Sequence, residues 1–510
     1  MSLGRLTCQL KKISARDRTV EIPKENRGPE NRPMIRPMQN SFVRRIRLLI
    51  IILAACVAAF CCSAETSSKL NILFITADDM NYDTPGFAGG KTPDITPNLD
   101  RLAREGMRLV QAHVTVAVCQ PSRECLMTGR YPHHNGATGF YPVRQDVPTL
   151  QESLKKGGYY LGILGKVSHL KPAEKFPWDF QHDQQDLAMG RDPALYFQHV
   201  QKFLQQAKAS GKPFFLMANS HDPHRPFAGS EKSSKRAVNK NRGKAVTEEG
   251  DYGNSTYPSP RHVYKPEEIV VPSFLPDLPD VRKEMAQYYS SAHRCDQTIG
   301  EILRALKESG LDENTLLMFL SDNGISMPFA KSNCYLTSTR TPWLVRWPGL
   351  VKPGTIDDSH FISGIDYMPT ILEAAGLPAI TGMDGRSFLP LLRGDPQQGR
   401  DHVFTCYNEN SGHRSYAMRC LQNKKFGYIF NGWADGKTTY NTEPMTGLTF
   451  KAMERAAAKE KPIADRVELL LHRVPEEFYD FAADPGALHN LIAETQYKEQ
   501  IQRMRQSMLD

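Results

Sequence analysis

The segment Leu70-Asn71-Ile72-Leu73-Phe74-Ile75-Thr76-Ala77-Asp78-Asp79 starts as a run of β-favouring apolar residues and stops at two carboxylates. Apolar residues on consecutive rather than alternate positions belong to a strand covered on both faces. The same grammar recurs three times: Tyr159 to Leu164 ends at Gly165-Lys166, Pro213 to Ala218 at Asn219-Ser220-His221, and Thr315 to Leu320 at Ser321-Asp322-Asn323. Between these runs lie helical patterns at Thr96 to Glu105, Thr149 to Lys156, Ala194 to Lys208 and Val281 to Ser309. In the last, Met285, Tyr288, Tyr289, Ala292, Ile299, Ile302, Leu303 and Leu306 recur near the 3.6-residue period of a core-facing helix. The chain is therefore α/β, with a parallel or mixed sheet, and its polar strand ends gather where such sheets bind ligands.

Outward from this core, Gly and Pro punctuation through Gly394-Asp395-Pro396 marks a boundary. Strand-like patches at His402 to Tyr407, Lys425 to Phe430 and Glu477 to Phe481, then a helix over Gln496 to Leu509, predict a smaller C-terminal α+β domain over residues 395–510. The larger domain spans 65–394. Residues 1–64 form an extension: Arg44, Arg45 and Arg47 precede the apolar run Leu48 to Phe60, and Cys62-Ser63-Ala64 supplies small residues for cleavage. This is the pattern of a secretory signal peptide with its start at Met38, and it predicts export. An uncleaved membrane anchor is one alternative; a lipid anchor at Leu53-Ala54-Ala55-Cys56 is another.

The chain of 510 residues carries 64 Lys+Arg against 56 Asp+Glu, a formal +8, but residues 1–64 hold 12 and 4 of these, leaving the body at 52 against 52. Net charge gives no argument for nucleic acid as a partner. Past the extension six cysteines remain, Cys119, Cys125, Cys295, Cys334, Cys406 and Cys420. Their spacing fits no zinc template, and at most a pair such as Cys406 with Cys420 bridges.

The sharpest chemical signal is Cys119-Gln120-Pro121-Ser122-Arg123-Glu124-Cys125-Leu126-Met127-Thr128-Gly129-Arg130. C-x-P-S-R followed by T-G resembles the maturation signature of the type I sulfatases. The resemblance extends over residues 70–495, taking in Thr96-Pro97-Asn98-Leu99-Asp100, Ile365-Asp366 and Phe478-Tyr479-Asp480. It implies an alkaline-phosphatase-like fold with an antiparallel sheet in the small domain. It also implies a partner, the formylglycine-generating maturation enzyme, which oxidises Cys119 to Cα-formylglycine. A hydrated aldehyde carries two hydroxyls on one carbon: one attacks sulfur and the other collapses to expel sulfate, so no water need attack an anionic ester.

Asp78, Asp79, Asp322 and Asn323 offer three carboxylates and an amide oxygen, a hard donor set suited to Ca²⁺ or Mg²⁺. The resemblance implies Ca²⁺, held by these four and by residue 119. It further implies that Arg123 orients the nucleophile, Lys166 and Lys331 hold sulfate oxygens, and His169 contacts the nucleophile hydroxyl, although Lys166 to His169 is one residue longer than the commoner G-K-x-H. His221-Asp222-Pro223-His224-Arg225 resembles the family's H-x-P-H segment; it makes His224 the candidate general acid and His221 a substrate contact or a structural histidine.

Within the family, Asp322-Asn323-Gly324-Ile325, Pro328, Lys331, Asn333, Tyr335 and Pro342 look most like the heparan N-sulfatase branch. The expected substrate is then a sulfated saccharide with N-sulfoglucosamine, contacted by His221, Arg225, Asn333 and Tyr335. Lys232, Lys235, Arg236, Lys240, Arg242 and Lys244 form a basic loop that is either a steering rim or simply solvated. The alternatives are an O-sulfatase on another glycan, a phosphate or phosphonate monoester hydrolase on the same scaffold, and an inactive glycan-binding protein.

Overall fold

All seven residues of Asn71–Ala77, strand β1, are buried. In the computed structural model, which describes residues 69–230 and 257–509, this strand lies inside an eight-stranded sheet. The other strands are β2 (Met107–His113), β3 (Tyr160–Leu164), β4 (Phe180–His182), β5 (Phe214–Asn219), β6 (Thr315–Ser321), β7 (Trp343–Arg346) and β8 (Thr355–Ser363). Their order is β4-β3-β5-β1-β6-β7-β2-β8. All pairs are parallel except the two made by β7, which runs against β6 and β2, so the sheet is mixed.

Six helices matter to its faces: α1 (Pro97–Glu105), α2 (Cys119–Thr128), α3 (Leu150–Lys156), α4 (Pro193–Ser210), α5 (Pro279–Glu308) and α6 (Tyr367–Ala374). Side chains alternate along a strand, so β1 sends Leu73, Ile75 and Ala77 into a core with Leu99 of α1, Tyr196 and Phe203 of α4 and Met285, Tyr288 and Ile302 of α5. Ile72 and Phe74 enter the opposite core with Leu126 of α2, Leu150 and Leu154 of α3 and Tyr367 and Ile371 of α6. Each Leu or Phe so buried contributes about 1.5–3 kcal/mol.

A second, antiparallel sheet has the order β12-β11-β10-β9, from β9 (His402–Glu409), β10 (Ser415–Asn423), β11 (Phe426–Asn431) and β12 (Glu476–Asp480). With it go α7 (Leu448–Ala457), α8 (Lys461–His472) and α9 (Lys498–Leu509). The architecture is the large mixed α/β sheet with a smaller antiparallel sheet that the sequence led us to expect. Both sheets lie in one compact unit, Ser68–Asp510, joined where Cys406 N donates to Thr115 O at 2.9 Å. The expected boundary near 395 falls between the short helix Leu389–Arg393 and β9.

The bridge that the sequence left open is not formed: Cys406 and Cys420 are both free thiols, because Cys406 pairs with Arg419 and Cys420 with Thr405, which places the cysteines on opposite faces of the β9/β10 ladder. The expected signal segment and the basic loop 232–244 lie outside the described residues. Among those described, no helix is long and apolar enough to cross a membrane.

Candidate active site

Four neighbouring strands, β3, β5, β1 and β6, deliver their carboxyl ends to one place. β1 runs into Asp78 and Asp79, β6 into Asp322 and Asn323, β5 into His221 and His224, and β3 into Lys166, and all of these side chains are buried. The turns are tight: Asp79 has φ +67° and Lys166 φ +56°, left-handed conformations uncommon for residues with a Cβ. Hydrogen bonds hold the first, from Asp79 N to Asp322 Oδ1 at 3.2 Å and from Met80 N to Ser321 Oγ at 2.8 Å. At Gly165, φ +67°, a Cβ would stand 2.6 Å from the Asn219 carbonyl oxygen, so the turn into Lys166 requires glycine.

Cys119 opens α2, whose N-cap Val118 offers no side-chain acceptor to its amides. Its Sγ lies 3.3 Å from Asp78 Oδ1 and 4.0 Å from Asp79 Oδ1. Burial, reinforced by Asp78, pushes the thiol pKa well up, so the unmodified residue is a protonated thiol and a poor nucleophile. Arg123, four residues on, faces the same way and donates to Thr76 Oγ1 (2.9 Å), Asn219 Oδ1 (2.6 Å) and Asp322 Oδ2 (2.6 Å), tying the ends of β1, β5 and β6 together.

Cations and carboxylates interleave. Lys166 Nζ is paired with Asp78 Oδ2, and Lys331 Nζ lies 3.0 Å from Asp79 Oδ2. Burial alone would raise Asp78, but Lys166 and the neighbouring His224 and Arg123 hold it well below the usual carboxylate range. Asp79 goes the other way, raised by burial and by Asp78, Glu443 and Asp322 around it, and burial lifts Asp322 to about 6. Buried carboxylates crowded in this way are short of positive charge.

Ligand atoms of Asp78, Asp79, Cys119 and His224 lie within 4.8 Å of one another. Asn323 Nδ2 donates to Asp79 Oδ1 at 2.6 Å, while its own Oδ1 is buried with no hydrogen-bond partner, an oxygen free to face a cation. The oxygen-rich set and the elevated carboxylates fit Ca²⁺, which would polarise a bound sulfate.

The three histidines differ in setting. His169 sits on the single 3₁₀ turn Val167–His169, with its ring buried near Lys166 and Arg123. Burial, then Lys166 and Arg123, lower its pKa. His221 Nδ1 is 3.9 Å from Asp78 Oδ2, and burial and Lys166 depress it likewise. His224 Nδ1 hydrogen-bonds the Arg225 carbonyl at 2.6 Å, which points Nε2 into the cluster, 3.9 Å from Asp79 Oδ2; burial and Lys331 lower its pKa to about 4.

Three expected substrate contacts are placed otherwise. Arg225 is spent on Glu284 Oε1 (2.6 Å) and the Ser326 carbonyl (2.9 Å). Tyr335 is buried and donates to Glu477 Oε2 at 2.8 Å, and Arg473 hydrogen-bonds both Tyr335 and Asn333. These bonds hold the segment carrying Lys331: Arg225 bonds the Ser326 carbonyl and Asn333 the Lys331 carbonyl.

Sequence reasoning missed two features. Asp222, between the flagged histidines, is clamped by Arg191 (3.1 Å) and Arg294 (2.6 Å), and Arg191 also donates to the His224 carbonyl at 2.9 Å. The adjacency of Asp222 to the histidines was the signal for this. Glu443 has no such signal, since Thr442-Glu443-Pro444 reads only as the start of a helical turn, yet its Oε2 lies 2.7 Å from Lys331 Nζ.

A family model described as Sulfatase matches residues 70–377. The chain belongs to the sulfatase family. A second model, N-sulphoglucosamine sulphohydrolase, C-terminal, matches residues 326–438, so the sulfatase is closely related to that branch. It is 29% identical to human N-sulphoglucosamine sulphohydrolase, covering 86% of this chain and 89% of the relative. It is 28% identical to an ulvan-active sulfatase of Formosa agariphila, covering 86% and 78%. A solved structure in complex with its substrate D-glucosamine-2-N,6-O-disulfate shares the fold, with TM-score 0.63 and 19% identity over 86% of this chain and 97% of that one. This sulfatase is thus a hydrolase acting on a sulfated substrate, built around a Ca²⁺-type cluster.

Proposed function

We propose that the enzyme is exported and releases sulfate from N-sulfoglucosamine of heparan-type glycans, after a maturation enzyme has converted Cys119 to formylglycine. The observation that carries the sulfatase chemistry is Cys119 on the open first turn of α2, its thiol held protonated, facing Asp78 and Asp79 between Lys166 and Lys331. The N-sulfate assignment is supported by the likeness to the N-sulphoglucosamine sulphohydrolase C-terminal model and to the human relative.

Formylglycine supplies paired hydroxyls, one to take the sulfuryl group and one to expel it, and Ca²⁺ supplies charge on the sulfate oxygens. Asp78, Asp79, Asp322 and Asn323, with residue 119, would hold the cation. The chain's own cations then do most of the remaining work, because sulfuryl transfer is dominated by positioning and charge neutralisation. Lys166 and Lys331 bind sulfate oxygens, leaving their carboxylate partners to the metal. Arg123 fixes the three strand ends and with them the donor geometry. His224 Nε2 delivers the proton to the leaving atom; an arriving anionic substrate raises its depressed pKa towards neutrality. His169 and His221 border the sulfate pocket.

The test is sulfate release by protein whose residue 119 is shown by mass spectrometry to be formylglycine. We expect N-sulfoglucosamine to be cleaved at least about tenfold faster in kcat/KM than glucosamine 6-O-sulfate, a gap of about 1.4 kcal/mol. Preferential release from the 6-O-sulfated sugar refutes the N-sulfate assignment and leaves the sulfatase chemistry standing. Faster cleavage of phenyl phosphate than of an aryl sulfate refutes both.

A further inference from the structure

Glu443 occupies a place that the sulfatase chemistry described above does not use. Its Oε1 accepts a hydrogen bond from Ser326 Oγ at 2.7 Å, and its Oε2 lies 2.7 Å from Lys331 Nζ and 3.9 Å from His224 Nε2. Lys331 and His224 are thus framed by two carboxylates, for each is also 3.0 Å and 3.9 Å, respectively, from Asp79 Oδ2. Asp79 is the inner one, fully buried and 4.0 Å from Cys119 Sγ. Glu443 is the outer one, with 29% of its side chain exposed against 2% for Lys331 and 6% for His224.

That order fixes what each group meets. The sulfur must stand beside residue 119, and the atom that leaves must stand within reach of His224 Nε2. The next group outward, 2.7 Å from Lys331 Nζ and 3.9 Å from His224 Nε2 and so between the sulfate's cation and the acid that serves the leaving atom, is Glu443. A carboxylate is a poor neighbour for an ester oxygen, which presents only lone pairs. It is a good neighbour for a sulfamate nitrogen, which carries an N–H, because a hydrogen bond to an ionised acceptor is about twice as strong as a neutral one. The product amine is a still better partner.

We propose that Glu443 is the residue that selects N-sulfate over O-sulfate, by accepting a hydrogen bond from the sulfamate N–H. The inference rests on the N-sulfoglucosamine reading and names the group that enforces it. Ser326 Oγ holds Oε1, which turns Oε2 towards Lys331 Nζ and His224 Nε2; a sulfate that draws Lys331 to its own oxygens leaves Oε2 to the sulfamate N–H. A site built to bond an N–H discriminates strongly against the analogue that lacks it.

The experiment uses two sugars that differ only at the scissile link, N-sulfoglucosamine and glucose 2-O-sulfate, with formylglycine-bearing enzyme. The quantity read is the ratio of their kcat/KM values. The wild-type ratio should favour the sulfamate. Glu443→Gln keeps the shape and removes the charge, and it should lower the ratio at least about tenfold, the worth of one charged hydrogen bond. Glu443→Asp retracts the carboxylate by one methylene and should lower the ratio as well, which keeps the test decisive if the glutamine variant folds poorly. Were Glu443 merely a prop for Lys331, both substrates would suffer equally and the ratio would stay put; that result overturns the role of Glu443 while leaving the enzyme an N-sulfatase. A wild-type enzyme with no preference for the sulfamate overturns the N-sulfate reading itself.

Discussion

The buried Arg123 guanidinium shows how much one residue organises. It donates to Thr76, Asn219 and Asp322, one partner at the end of each of β1, β5 and β6. Lysine has the charge but not the planar fork, and it reaches at most part of this set. Arg123→Lys should therefore lose on the order of 3 kcal/mol of stability, from the bonds to Thr76 and Asn219 that are given up and a weakened bond to Asp322, read as a lower denaturation midpoint. Sulfate release should fall with it if Asp322 joins the metal set as proposed. An unchanged midpoint would mean that water replaces the guanidinium, and the strand ends would then be held by backbone alone. At this scale the sequence was highly informative wherever chemistry sat in a short motif. Asp78, Asp79, Cys119, Arg123, Lys166, His169, His221, His224, Asp322, Asn323 and Lys331 all converge. Glu443 was invisible because its role depends on a contact 112 positions away from Lys331 in the chain (443 − 331), and nothing in its own neighbourhood records that.

Elements were legible in proportion to how uniformly they are buried. The strands β1, β5 and β6 are buried along their whole length and read as continuous apolar runs, and α5 announced itself by its period. Two of the strands that escaped notice carry mixed faces: β8, Thr355–Ser363, has its first residues Thr-Ile-Asp-Asp-Ser-His half or fully exposed at the sheet edge, and β10 interrupts its apolar residues with Arg419 and Gln422, whereas β7 is mostly buried but only four residues long. Polar residues are affordable on an edge or a one-sided sheet, and the signal fades there. The same distinction explains Asn333 and Tyr335. Placed near Lys331 in sequence, they read as rim residues; in the fold Arg473 and Glu477, from α8's end and β12, claim them. Tyr335→Phe should accordingly lower stability by about 1–3 kcal/mol, the cost of leaving Glu477 a donor short, while KM for the sulfated sugar stays within about twofold. A large rise in KM with intact stability would return Tyr335 to the substrate.

For the molecule as a whole, the cluster at the strand ends links stability, pH and metal. Asp322 titrates near 6 in the fold, above the usual carboxylate value of 3.8, because it is buried, and Asp79 is raised in the same sense. A folded state that binds protons more tightly than the unfolded chain loses stability as pH rises, here between about 4 and 6. Asp78 is held below the usual range, so its opposing contribution is already complete above about pH 4. Metal-free protein should thus carry an electrostatic penalty at neutral pH that it does not carry near pH 4.5, and Ca²⁺ should relieve it by taking the place of those protons. The gain in Tm on adding Ca²⁺ to chelator-treated protein should be several °C larger at pH 7 than at pH 4.5, with protons released on binding in calorimetry between those values. Because the measurement compares loaded with stripped protein at each pH, acid effects elsewhere in the chain cancel. An equal gain at both pH values would mean that the carboxylates at the ends of β1 and β6 are neutralised by Arg123, Lys166 and Lys331 alone, and the site would then need no cation to hold its shape.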